Sequence, residues 1–522
     1  MNENDERPVP SSPPPFGSAG TSGVLSQGLL SMLAYGVNFA ASFFAIIGII
    51  NILGEQSFGR FALAIQIVAF TSMIADFGIG PVIMRRLAIM PGRAATVILE
   101  ATAGRSLLLL PAWILSLGIG WLLKPEWSFF LLLNIMLLNV VVSSKIPVLR
   151  GTLDALFRSQ SRMGLPSVTM ALDALILLAA VIVIPASFTN PIHAMALYTV
   201  SNLGGALLLL LLGVSLTRRI NTEPVRPRWS GVLELIRSSA PLAVFLLFNA
   251  LHVSIDSMYL ETFHGEEAVG VYNAALRVMS PLAVFPTVIA ISAVPFFARA
   301  SVTDDEAQRA RLTRLFSLSV KTLLVGAVLL AGLGLTNSSL LVELAFRGNF
   351  TASVLPMTIL FATFLPMALN TFLVELNNAR GHLRNNTKFA VILAAVSLTA
   401  GALLINYFSA TGAAVAKLLA VLAGFAFLIL HSRTGIDLSM KPVIGKALML
   451  FLIFIAARLL PGDLHWVVSN SIALTVTIVA IFVLRIFTVD ELAQWKTHLG
   501  ALKRSRQGGG TSANDGKDTP EA

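Results

Sequence analysis

Residues 52–88 read ILGEQSFGRFALAIQIVAFTSMIADFGIGPVIMRRLA, and the order of their chemistry decides the fold. A short polar turn, Leu53 to Gly59, opens the stretch. A long run follows that is mostly apolar on every side and carries one carboxylate, Asp76. The stretch closes on the paired cations Arg85 and Arg86. At about 1.5 Å per residue such a run crosses roughly 30 Å of hydrocarbon as a helix. A membrane-spanning strand would be near ten residues long and would alternate polar with apolar, whereas Ala206 to Leu212 and Ala447 to Ala457 are apolar without alternation. A barrel is therefore excluded.

The same unit recurs along the chain. Hydrophobic residues make up 56% of the 522 and charged residues only 12%, which is outside the range of soluble domains and calls for a lipid solvent. The expected fold is all-α and polytopic, with about fourteen spans near 28–52, 60–84, 97–122, 128–149, 165–187, 193–216, 241–262, 269–297, 317–336, 353–378, 389–407, 411–431, 443–460 and 466–487. With the amino terminus inside, about 30 of the 37 Lys and Arg fall on the cytoplasmic side, and Arg60, Lys124, Arg347 and Arg458 fall at outer ends. This bias sets the orientation and puts both termini in the cytoplasm. It also accounts for the net charge of +10 without a nucleic-acid partner.

There is no cysteine, and the seven histidines are scattered, so neither a metal nor another cofactor is expected. No cluster of acids, bases or nucleophiles suggests an enzyme. Residues 1–25 and 508–522, rich in Pro, Ser and Gly, read as disordered cytoplasmic tails. Between them the sequence divides into a lobe at 26–216, a cytoplasmic linker at 217–240, a second lobe at 241–431, two further spans at 432–487 and an amphipathic cytoplasmic helix at 488–507. In that last segment Val489, Leu492, Trp495, Leu499 and Leu502 share a face. Trp229 to Ser239 reads as a second interfacial segment, and Thr303 with Glu306 as a capping box that starts a helix.

The chain repeats itself at a shift of about 211 residues. Gly54-Glu55 precedes Phe58-Gly59, Phe61 and Ala64; Gly265-Glu266 precedes Val269-Gly270, Tyr272 and Ala275. The shift covers six spans, an even number, so the two copies enter the membrane in the same sense. They are related by an axis along the membrane normal, as in transporters whose lobes rock around a central cavity.

Two of these stretches carry a family resemblance. Ile52 to Ala88, with its Asp-x-Gly ending and following arginines, and Pro241 to Pro286, with an intramembrane Asp and a Gly-x-Tyr turn, are similar to the polysaccharide transporter branch of the multidrug, oligosaccharidyl-lipid and polysaccharide flippase superfamily. Asn377 to Lys388 followed by Ser409 to Ala416 adds a weaker likeness. The resemblance implies a bacterial inner-membrane flippase for undecaprenyl-diphosphate-linked oligosaccharide, serving O-antigen, capsule or exopolysaccharide synthesis. It also implies membrane lipids, a polysaccharide polymerase and glycosyltransferases as partners. The same fold serves cation-coupled multidrug or metabolite antiporters, and a noncatalytic scaffold is a third reading.

Ionisable groups inside spans are costly unless paired or hydrated, and so mark function or salt bridges. Counting at about 1.5 Å per residue, Asp76, Arg105 and Asp173 lie at a common depth, with Lys145 shallower. They read as one Asp-Arg-Asp cluster, either a brace or a site for cargo or protons. Arg277, with Lys417 and Arg60, supplies outer-half cations suited to a diphosphate. Alternatively, Arg277 neutralises Asp256. His252, four residues before Asp256, makes that pair a candidate proton or cation switch or a packing pair. Pro81, Pro281, Pro286 and Pro295 are candidate kinks, for gating or for shaping a static cavity.

Overall fold

The computed structural model describes residues 21–144, 148–184, 188–300, 303, 305–431, 440–459 and 465–487. These residues form helices and connections with no strand, and the chain is an all-α polytopic membrane protein. Lys145, the segment 488–507 and the tail at 508–522 lie outside the described residues, as does most of the amino-terminal tail; the first helix begins at Thr21.

Ten segments are long and apolar enough to cross a membrane. Two of them, Ser26–Ile89 and Leu383–His431, are each too long for one crossing and are broken by non-helical backbone, at Gly54 (φ 71°) and at Ser409 (φ 50°). Each therefore supplies two spans. Among the described residues, the shorter apolar helix Trp127–Val142 and the helix Met440–Leu459 fall where two further spans are expected. Large apolar side chains such as Leu110 (64% exposed), Ile114 (63%) and Leu211 (70%) point outward, as they do where hydrocarbon replaces water.

Cα clustering divides the chain into two units. One comprises Met1–Leu53 and Ala64–Leu247, the other Gly54–Leu63 and Phe248–Ala522. Trp229–His264 is one continuous helix, with Pro241 inside it. Trp229 to Ser239 is thus not a separate surface helix. Val232 and Leu235 are buried, and Leu235 packs with Ile79, Ile83 and Val97 in the core of the first unit. Glu100, itself buried, accepts from the backbone N–H of Arg228 at 3.0 Å, placing a carboxylate at the positive end of this helix.

Left-handed backbone interrupts the helices at Gly54, Phe77, Gly78 and Ser409, none of them a proline singled out in the sequence. The second span breaks at Phe77 (φ 48°) and Gly78 (φ 67°), directly after Asp76. Pro81 falls in the first turn of Ile79–Ile89, where a missing N–H costs no helical hydrogen bond. In the eighth span a 3₁₀ turn at Ser280–Ala283 contains Pro281, and Pro286 again lies in the first turn of the next helix, Val284–Ala300. The fourth span ends early at Val142, and the chain is non-helical at Ser143 and Ser144 before the short helix Arg150–Ser159 begins. The cap of Glu306–Thr336 is Asp305, whose side chain accepts from Ala307 N, and not Thr303 as the capping-box pattern suggested.

Candidate functional site

In the first unit the expected Asp76-Arg105-Asp173 cluster resolves into two separate ion pairs. Arg105, 1% exposed, donates from Nη2 to Asp76 Oδ1 at 2.7 Å and from Nη1 to Thr152 Oγ1 at 2.9 Å. Asp173 pairs instead with Arg150, Nη1 to Oδ2 at 2.5 Å; the same guanidinium donates to Thr169 Oγ1 at 2.8 Å and to the Val142 carbonyl at 3.3 Å. The other oxygen of Asp173 accepts from Gly205 N at 2.8 Å. Arg150 follows directly on the span expected at 128–149. Because the helix stops at Val142, the chain turns and carries Arg150 inward, where only 3% of it is exposed. Asp154, also buried, lies within the fields of Arg150, Arg158 and Arg105.

The second unit assembles His252, Asp256, Tyr272, Ser397 and Lys417 in one buried cluster. Lys417 Nζ stands 2.7 Å from Asp256 Oδ2 and donates to the His252 carbonyl at 2.6 Å. Tyr272 donates its hydroxyl proton to Asp256 Oδ2 at 2.9 Å. The His252 ring is bonded through Nδ1 to Ser397 Oγ at 2.6 Å. Lys417 is thus a cation beside Asp256. Arg277 is half-buried in the last turn of Glu266–Met279, the helix that also bears Tyr272. Tyr272 was visible in the sequence as part of the repeated turn. Ser397, one of the few hydroxyls in an apolar span, carried no signal of its own.

The repeated turns themselves meet within the second unit. A Cβ on Gly59 would collide with the Glu266 carbonyl, and one on Gly270 with the Glu55 carbonyl. Glu55 and Glu266, like Gly59 and Gly270, are equivalent positions of the repeat, so the contact is reciprocal, as a local two-fold relation requires. Arg60 secures it, Nε to Glu266 Oε1 at 2.5 Å, with Phe58 packed edge-on to Phe350. Of the three cations expected to face cargo, Arg60 and Lys417 are therefore held by carboxylates.

Residues 24–301, more than half the chain, match the sequence profile of a family described as polysaccharide biosynthesis protein. No curated protein matches the sequence. Among solved structures, the lipid II flippase MurJ in an inward closed conformation aligns with a TM-score of 0.64 at 11% identity, over 88% of this chain and 99% of that one. An inward-facing multidrug resistance MATE family transporter of the MOP superfamily aligns with a TM-score of 0.60 at 13% identity, over 78% and 97%. The Vibrio cholerae MATE transporter VcmN aligns with a TM-score of 0.52 at 17% identity, also over 78% and 97%. These likenesses show the fold, and the sequence match shows the lineage: the chain belongs to the polysaccharide biosynthesis protein family.

Proposed function

We propose that the chain is a flippase that carries undecaprenyl-diphosphate-linked oligosaccharide across a bacterial inner membrane, with both termini in the cytoplasm, for assembly of O-antigen, capsule or exopolysaccharide. Membership of the polysaccharide biosynthesis family carries the reading, and a fold similar to that of a lipid II flippase supports it. Arg277 is the candidate contact for the diphosphate: it is half-buried, and a guanidinium grips phosphate oxygens through paired donors.

Alternating access gives the reciprocal turns a role. The contact of Gly59 with Gly270, clasped by Arg60 and Glu266, closes the face that the charge bias assigns to the outside, and it parts when the glycan is released there. The test is complementation of a strain lacking its own flippase. Restored surface glycan and loss of the accumulated cytoplasm-facing lipid-linked oligosaccharide are the expected results; undiminished accumulation with the protein present in the membrane rejects the reading.

A second reading, a cation-coupled multidrug or metabolite antiporter, draws on the buried His252, Asp256 and Lys417 cluster and on the MATE-like fold. It predicts efflux of cationic drugs in the same strain with no gain in surface glycan.

A further inference from the structure

Lys417 occupies a site made of oxygen atoms. Its ammonium lies between Asp256 Oδ2 at 2.7 Å and the His252 carbonyl at 2.6 Å, and Tyr272 Oη stands 2.9 Å from the same Asp256 oxygen. Asp256 is fully buried, and its Oδ1 has no hydrogen-bond partner among the described residues. The turn that presents these oxygens is anchored by Ser397 through the His252 ring. Carbonyl and carboxylate oxygens gathered away from water are the ligands that hard cations take.

We propose that the His252 carbonyl, Asp256 and Tyr272 form a site for a monovalent cation, which Lys417 fills with its own tethered ammonium. The identity of the side chain argues for this over a simple brace. Where the first unit buries cations as braces, at Arg105 and Arg150, it uses guanidinium groups whose flat forks serve several acceptors at once. Lys417 instead brings a compact, nearly spherical charge, the form in which an alkali ion would arrive. The unpartnered Asp256 Oδ1 is a further ligand that an ion larger in reach than one N–H can recruit. With its cation covalently supplied, the second unit does not depend on the alkali ion in solution. The inference concerns an ion and not the cargo, and it holds for a flippase or an antiporter alike.

The experiment reads stability, not transport. The purified full-length chain is melted in sodium, potassium or choline chloride at matched ionic strength. The native chain is expected to show one midpoint in all three salts. Lys417→Ala is expected to melt lower in choline, to recover with each tenfold rise in sodium or potassium, and to lose that recovery when Asp256→Asn is added. Lys417→Gln, which keeps much of the side-chain packing, is read in the same way. An alkali-specific midpoint in the native chain overturns the proposal. So does the absence of an alkali-specific response in both Lys417 variants, whether they melt or aggregate in every salt.

Discussion

The two units bury their charges in different chemical forms. In the first, Arg105 and Arg150 each bind a carboxylate and a threonine hydroxyl, and Arg150 also caps the carbonyl at the end of an interrupted helix. In the second, the most deeply buried pair is one lysine that meets one aspartate and one carbonyl, beside the more exposed Arg60–Glu266 pair. A buried guanidinium that serves several acceptors at once, as Arg105 and Arg150 do, holds them in a fixed plane, which suits a joint that must not move. An ammonium on a flexible stem exchanges partners readily, which suits a joint that does. The comparison assigns bracing to the first unit's network and the working change to the second unit's cluster.

The largest effect should come from breaking the brace. Arg150→Ala leaves Asp173 charged and buried without its partner, a loss of about 3–5 kcal/mol for a buried pair, and the protein should all but vanish from the membrane fraction. Arg150→Lys should restore little, because an ammonium cannot serve Asp173, Thr169 and the Val142 carbonyl in one plane. Full abundance in either variant would break the comparison.

Next in size is Gly270→Val. Its side chain would strike the Glu55 carbonyl, so export should fall at least tenfold while the protein remains in the membrane. Tyr272→Phe removes one charge-assisted hydrogen bond from Asp256, about 1.5–3 kcal/mol, and should lower the melting midpoint without abolishing folding. The smallest effect belongs to Arg93→Ala. Its bond to Glu223 joins two half-exposed side chains, and the change should stay under about 1 kcal/mol. A larger loss there would mean that exposed pairs share the bracing.

How much of this was legible in the sequence depends on distance along the chain. The spans were readable because helices solvated by lipid are apolar all round, and the repeat because Gly54-Glu55 and Gly265-Glu266 keep their spacing from Gly59 and Gly270. The early end of the fourth span was hidden by that same uniform hydrophobicity, although Ser143, Ser144 and Pro147 are residues that disfavour a continuing helix. With the span carried to 149, Arg150 falls beyond its end, and Asp173 is left to group with Arg105. Depth alone put Lys417 and Asp256 in the same half of the membrane. It did not pair them, since helices far apart in sequence become neighbours only through packing.

The reciprocal turns offer the most direct test of the transport account, and the absence of cysteine makes the chain ready for it. Arg60→Cys with Glu266→Cys, reconstituted into vesicles with a labelled lipid-diphosphate oligosaccharide, would be bridged by a cleavable bifunctional thiol reagent, and movement of label between leaflets followed. The account predicts protein-dependent movement before bridging, none while the bridge is intact, and recovery on cleavage. Movement that continues at full rate across the bridged turn, or no protein-dependent movement at all, would contradict it.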